Sequence, residues 1–155
     1  DGCRRILCLR SNSRMRMPAN KRTDAYLDVV EQAGLPALVR EVEFVKPDDE
    51  KSAVVAKILD ENPDIDGIFA GDDTMAAICL NVMKQRGLSA PDDIKVVGAD
   101  GARRTMTFMP DLTTVRQDID RIGELAAQSI IALINGDNPE SNIKLPVELI
   151  EGKTA

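Results

Sequence analysis

Histidine and tryptophan are absent from this 155-residue chain, and aromatic residues make up only 3% of it. Without histidine there is no Ser-His-Asp triad, no Cys-His pair and no His-ligated metal within the chain. The aromatics are Tyr26, Phe44, Phe69 and Phe108. They are too few for the stacking platforms that grip single-stranded nucleic acid, and for the aromatic faces usual in lectin-like sugar sites. Cysteine is scarce and odd in number: Cys3, Cys8 and Cys79 show no CxxC spacing. Cys8 and Cys79 lie in apolar runs, where a thiol behaves as a small hydrophobe. That usage fits free thiols in a cytoplasmic protein. Positive charge is in deficit, with Lys+Arg 20 against Asp+Glu 26 and a net charge of −6. Such a surface repels phosphate backbones, which makes this stretch a poor contact for DNA or RNA. No run approaches the roughly 20 apolar residues of a membrane helix, and no signal peptide is visible. The opening Asp1-Gly2 suggests an excised piece of a longer chain, so the parent's targeting stays open.

What is present points to a globular chain: 43% hydrophobic and 30% charged residues are too apolar for disorder and suit one ordinary domain by length. Arg4–Arg10 holds a short apolar run that predicts a buried strand. Ser11–Lys21 is polar, contains Pro18 and predicts a loop. From Arg22, Tyr26, Leu27, Val30 and Ala33 recur at helical spacing, and Gly34 stops the helix. Leu38–Phe44 predicts an outer strand. Pro47-Asp48-Asp49-Glu50 opens a second helix with carboxylates where the helix dipole favours them, and Val54, Val55, Ile58 and Leu59 form its apolar face. Ile65–Ala70 predicts a third strand. Asp72-Asp73-Thr74 offers a cap for a third helix, with Met75, Ala76, Cys79, Leu80 and Met83 on one face. Ile94–Gly98 and Leu112–Gln117 predict two more strands. Asp118 caps a long helix that ends at Gly136. Leu145–Ile150 predicts a last strand, placed at an edge by Pro146. This alternation predicts an α/β fold with a parallel, doubly wound sheet and right-handed crossovers.

Ligands of such sheets bind outside the carboxyl ends of the strands. Those ends carry Gly71-Asp72-Asp73 and Gly98-Ala99-Asp100-Gly101, while the stretch after the first strand leads to Arg22. A carboxylate accepts two hydrogen bonds from neighbouring hydroxyls, and a guanidinium donates two from a rigid fork. Together they suit a polyhydroxylated ligand such as a sugar. The plainer reading keeps Asp72 and Asp73 as helix caps and Asp100-Gly101 as a turn. A phosphate-accepting receiver domain would also gather acids here. It needs an acidic pair after the first strand, where Leu9-Arg10-Ser11-Asn12 stands, and a lysine after the fifth. Ser11 and Ser13 have no base, and no glycine-rich phosphate loop occurs. No catalytic residue, metal ligand or cofactor is therefore expected, and the chain reads as a binding module rather than an enzyme.

Several segments, in order, resemble the LacI-type bacterial transcription regulators, in the C-terminal part of their effector-binding, periplasmic-binding-protein-like core. Arg22-Thr23-Asp24-Ala25-Tyr26-Leu27 with Ala33-Gly34-Leu35 resembles that family's "RxxGYxxAL…AGI". Ile68–Ala76 resembles "IFAxNDxMA", Gly87–Asp100 resembles "GLxVPxDIxVVGFD", Pro110–Gln117 resembles "PxLTTVxQ", and Leu145–Ile150 resembles "LPxELI". The resemblance spans about residues 3–152.

It implies a type I periplasmic-binding-protein subdomain over residues 1–117. It also implies a crossover helix over 118–140 that belongs to a missing subdomain, and a return strand over 141–155. Arg22 would clamp the effector, Asp72 and Asp100 would be cleft acids, and Gln117 would sit at the crossing between subdomains. Asp72 departs from the family's usual Asn: it only accepts, so the effector would offer hydroxyl donors there. Phe44 would stack on the effector, or else fill the core at a strand end. Met75, Met106, Phe108 and Met109 would line a homodimer interface, or else pack in the core. Ile119, Ile122, Leu125, Ala126, Ile130 and Leu133 would face the missing subdomain, unless the helix folds back on its own sheet. The implied parent is a cytoplasmic dimer without membrane contact. It binds a small, sugar-like effector and touches DNA through a head absent from this chain. The rival of another class is a periplasmic sugar-binding protein of an ABC transporter.

Overall fold

The computed structural model describes residues 2–12, 19–43 and 45–155. Strands β1 (Ile6–Asn12), β2 (Leu38–Glu43), β3 (Gly67–Ala70), β4 (Lys95–Asp100), β5 (Thr113–Gln117) and β6 (Val147–Ile150) form one sheet in the order β2-β1-β3-β4-β5-β6. Every neighbouring pair is parallel except β5 with β6, which run antiparallel with Thr114 opposite Ile150. The sheet is thus mostly parallel, and the one departure has a simple cause. Parallel strands need a crossover that returns over the sheet, whereas the chain between β5 and β6 runs out along a helix and comes back without packing on it. The edge position expected from Pro146 is the observed one.

Helices α1 (Ala19–Gln32), α2 (Asp48–Glu61) and α3 (Asp73–Gln85) connect the first four strands. Side chains alternate across a strand with period two, so β1 feeds two cores. Leu7 and Leu9 are fully buried with Val55, Ile58, Ile68, Met75, Cys79, Val82 and Val96 beneath α2 and α3. On the other face, Cys8 packs with Tyr26 and Val30 of α1, flanked by Ile6, Val39 and Phe69. The Tyr26 hydroxyl ties α1 down: it donates to Ile6 O at 2.6 Å and accepts from Leu38 N–H at 3.0 Å.

Two helical stretches were not expected. α1 begins at Ala19, inside the predicted loop: its first turn, Ala19-Asn20-Lys21-Arg22, carries no large apolar residue to set a period. α4 (Arg103–Phe108) spans six residues and buries none, too short and too exposed to leave a periodic trace. The long helix α5 (Ile119–Ile134) starts where Asp118 accepts from Arg121 N–H at 2.9 Å. It also buries no residue. Ile119, Ile122, Ile130 and Leu133 are 51%, 44%, 58% and 61% exposed.

After β6 the chain is fixed to the body again. Thr154 accepts from Thr113 N–H at 2.9 Å and donates from its hydroxyl to Val96 O at 2.7 Å. At Gly152 an added Cβ would lie 2.2 Å from Asp111 O, so only glycine admits this approach.

Candidate functional site

Three of the expected residues meet at one carboxylate. Arg22, early in α1, donates from Nη2 to Asp100 Oδ1 at 2.6 Å and from Nη1 to Gly71 O at 2.5 Å. Gln117, the last residue of β5, donates from Nε2 to the same Asp100 Oδ1 at 2.7 Å. The guanidinium therefore spans the carboxyl ends of β3 and β4, and the amide joins β4 to the start of the α5 excursion. The Arg22 and Asp100 side chains keep 27% and 35% of their exposure. A pair this open to water is worth only about 0–1 kcal/mol, so a ligand can separate it at small cost.

Asp72 stands beside this group. It caps α3, accepting Met75 N–H on Oδ1 at 2.8 Å, and its Oδ2 accepts the Ser11 hydroxyl at 3.2 Å. Capping was the plainer reading of this residue, and the cap is present. The cap uses one oxygen and leaves the other at the strand ends, near the backbone that Arg22 grips.

Asp73 does not cap the helix as Asp72 does. It is only 3% exposed. It accepts the Thr114 hydroxyl on Oδ1 at 2.5 Å and Gly101 N–H on Oδ2 at 2.8 Å. Burial pushes its carboxyl above the ordinary carboxylate value, opposed by Thr114 and the amides of Gly101 and Ala102, with the Asp100 charge adding to the rise. Gly98 makes room for it, since a Cβ there would sit 2.5 Å from Asp73 Oδ1. The same loop is strained. Asp100 has φ +105°, a non-glycine conformation that costs about 1–3 kcal/mol. Gly101 follows at φ +59°, where a Cβ would meet Arg116 at 2.5 Å. No periodic pattern carries such information. The only hint was a second Asp directly after the cap.

The acids do not pool. Asp72 serves a helix end, Asp73 a loop, and Asp100 an arginine and an amide. Among the described residues no group of three or more acids, cysteines or histidines is placed to hold a metal ion. What the arrangement can do is bind hydroxyls, with carboxylates accepting and the guanidinium and amide donating. A groove of about 660 Å³ opens beside it, lined by Gly101, Met106, Arg116, Gln117, Pro146 and Glu148 among others.

The remaining expected positions divide. Phe44 lies outside the described residues. Met75 is corrected: at 2% exposure it belongs to the core beneath α3 and offers no surface to a partner. Phe108 is 75% exposed on α4, with Met106 and Met109 partly covered beside it.

Comparison with known proteins bears on the family and the fold. A family model described as "Periplasmic binding protein-like domain" matches residues 1–155. The sucrose operon repressor of Lactococcus lactis subsp. lactis is 32% identical over 152 residues, covering 98% of this chain and 46% of that protein. Among solved structures, the transcriptional regulator CelR–cellobiose complex superposes with a TM-score of 0.86 at 27% identity, over 99% of this chain and 47% of that one. A periplasmic binding protein/LacI transcriptional regulator from Alkaliphilus metalliredigens QYMF, complexed with D-xylulofuranose, gives a TM-score of 0.82 at 26% identity, over 99% and 57%. The chain spans about half the length of the curated relatives it matches. By sequence and by fold, this chain belongs to the periplasmic binding protein-like domain family, and the proteins it resembles within it are LacI-type transcriptional regulators.

Proposed function

We propose that this chain is the effector-binding and dimerisation part of a LacI-type transcriptional regulator, and that its effector is a neutral sugar. The observation that carries the reading is the convergence of Arg22 and Gln117 on Asp100 at the carboxyl ends of the sheet. Both hydrogen bonds fall on Oδ1, which leaves Oδ2 for a ligand hydroxyl. Arg22 is already neutralised by Asp100, and Asp72 adds a further negative charge. That balance favours uncharged polyols over sugar phosphates or sugar acids. Relatives named for sucrose and ribose operons, and solved structures holding cellobiose and D-xylulofuranose, support the same class.

The cleft is completed by a second subdomain outside this chain. Residues 1–117 and 141–155 form one side, and 118–140, including α5, pack on the other. An effector bound between the two sides biases their relative angle through its differential contacts with each arrangement. Gln117, at the crossing, ties the bound acid to the strand that turns. DNA contacts lie in a head outside this chain, and Met106 and Phe108 of α4, with Met109 just after it, line the dimer contact. The free thiols Cys3, Cys8 and Cys79 fit a reducing cytoplasm. The role is binding, not catalysis.

Calorimetry on the full-length protein tests this with sucrose, ribose, lactose, cellobiose and glucose 6-phosphate. At least one neutral sugar binds, and the phosphate does not. A hydrogen bond to a charged group contributes about 1.5–3 kcal/mol, so Arg22→Ala and Asp100→Ala each weaken that sugar about tenfold to a hundredfold while unfolding stays cooperative. Unchanged affinity in both variants refutes the site.

A further inference from the structure

Asp100 is the centre of the site, yet its own backbone is held in a conformation that a non-glycine residue avoids. Something must hold that loop. The residue after it, Gly101, donates its amide to Asp73, and Asp73 in turn takes the hydroxyl of Thr114 in β5. The hydrogen bonds of Arg22 and Gln117 go to Gly71 and Asp100 and not to Asp73, which is almost wholly buried. The surroundings are shaped for it: Gly98 lacks the Cβ that would strike its carboxylate, and Gly101 lacks the one that would strike Arg116. Thr114 is itself fully buried and registers opposite Gly98 across β4 and β5.

From this geometry we infer that Asp73 is a positioning residue, which fastens the Asp100–Gly101 turn to β5 and so aims the Asp100 carboxylate at Arg22, Gln117 and the effector. The inference rests on the effector reading for its last clause only, since the placing of Asp100 against Arg22 needs no ligand. The chemistry is specific. A carboxylate has two oxygens with enough acceptor sites for the turn amide and the hydroxyl together. Alanine supplies none. Asparagine keeps one acceptor oxygen for Gly101 N–H, and its amide group can donate to the Thr114 oxygen instead.

The test is nuclear magnetic resonance of the full-length protein, reading the Arg22 guanidinium signals and the Gly101 amide in wild type, Asp73→Asn, Asp73→Ala and Thr114→Val. In wild type the Arg22 Nη–H signals are held apart by their two acceptors. Asp73→Ala collapses them towards those of a free arginine and moves the Gly101 amide upfield. Asp73→Asn restores most of both, and Thr114→Val moves them part of the way. Sugar affinity follows the same order, with Asp73→Ala weakened about tenfold or more. Arg22 signals unchanged in Asp73→Ala overturn the inference, as does an Asn variant no better than Ala. Should Asp73→Ala fail to fold, Thr114→Val decides, and wild-type Arg22 signals there overturn it. A protein that binds none of the sugars yet shows the Arg22 pattern refutes the effector reading and leaves the positioning role standing.

Discussion

The body of the sheet and the α5–β6 arm are built from similar residues and end in opposite circumstances. In the body, β1 places Leu7 and Leu9 at zero exposure between α2, α3 and the neighbouring strands. In the arm, α5 carries Ile119, Ile122, Ile130, Ile131, Leu133 and Ile134, all exposed. Both stretches show clean hydrophobic patterning. The patterning in α5 is that of a helix with one side to bury, and it does not name the surface that would bury it. The difference teaches that hydrophobic periodicity encodes an element's need for a partner, while the partner can lie outside the segment that carries the pattern. Gln117 marks the division: it ends the last strand of the body's sheet core and immediately precedes the cap of α5.

The sharpest way to break this comparison is to remove the same apolar mass from each region of the 155-residue chain. Leu9→Ala is expected to lower the unfolding free energy by about 2–5 kcal/mol, the cost of a cavity in a packed core. Ile130→Ala is expected to change it by less than about 0.5 kcal/mol, as at other exposed sites. Denaturant unfolding reads both. A large loss at Ile130 would show α5 packing within the chain.

A smaller effect is expected at the joint between the body and the Asp100–Gly101 loop. Gly98→Ala forces a Cβ against the Asp73 carboxylate in a site with no slack. It is expected to cost about 1–3 kcal/mol, the range for overpacking. Thermal unfolding followed by circular dichroism checks it. A neutral result would mean that Asp73 moves freely, and that the tie between the body and the loop is loose.

The thiols give the mildest contrast, within the body alone. Burial pushes the Cys79 thiol up to about 12, and it raises Cys8 as well, against a hydrogen bond from Thr23 and the charge of Arg10. The thiolate is the reactive form, and it appears only as pH approaches the thiol's own value. At pH 8 Cys3, which is partly exposed, is expected to react quickly with a thiol reagent while Cys8 and Cys79 wait for unfolding. Mass-resolved labelling reads this. Prompt labelling of Cys79 would show the core beneath α3 opening far more often than its packing implies.

Much of this architecture was legible from the residues. The alternating apolar runs gave the strands β1 to β5, Gly34 and Gly136 gave helix ends at positive φ, and Asp72 and Asp118 gave caps. Arg22, Asp100 and Gln117 were singled out from strand-end chemistry and from resemblance, and the fold brings them to one oxygen atom. Other features left no trace in one dimension. The first turn of α1 offers only Ala19, and α4 is six residues long with two apolar side chains, Met106 and Phe108, too few to report a period. The direction of β6 depends on a connection that leaves the sheet, which composition does not record. Met75 shares its helical face with Cys79 and Val82, and a surface methionine and a core methionine read alike along the chain. Asp73 was hidden because its partners, Gly101 and Thr114, lie 28 and 41 residues away. Only the fold places them together.

The most direct test of the two-region account is amide hydrogen exchange over residues 119–134, measured in the 155-residue chain and in the full-length protein. Stability differs locally within a structure, and an unpartnered helix exchanges from the weak end of that range. The account predicts rapid exchange of α5 in the chain alone and strong protection in the full-length protein, with β1 and α3 protected alike in both. Equal exchange of α5 in the two forms would contradict it.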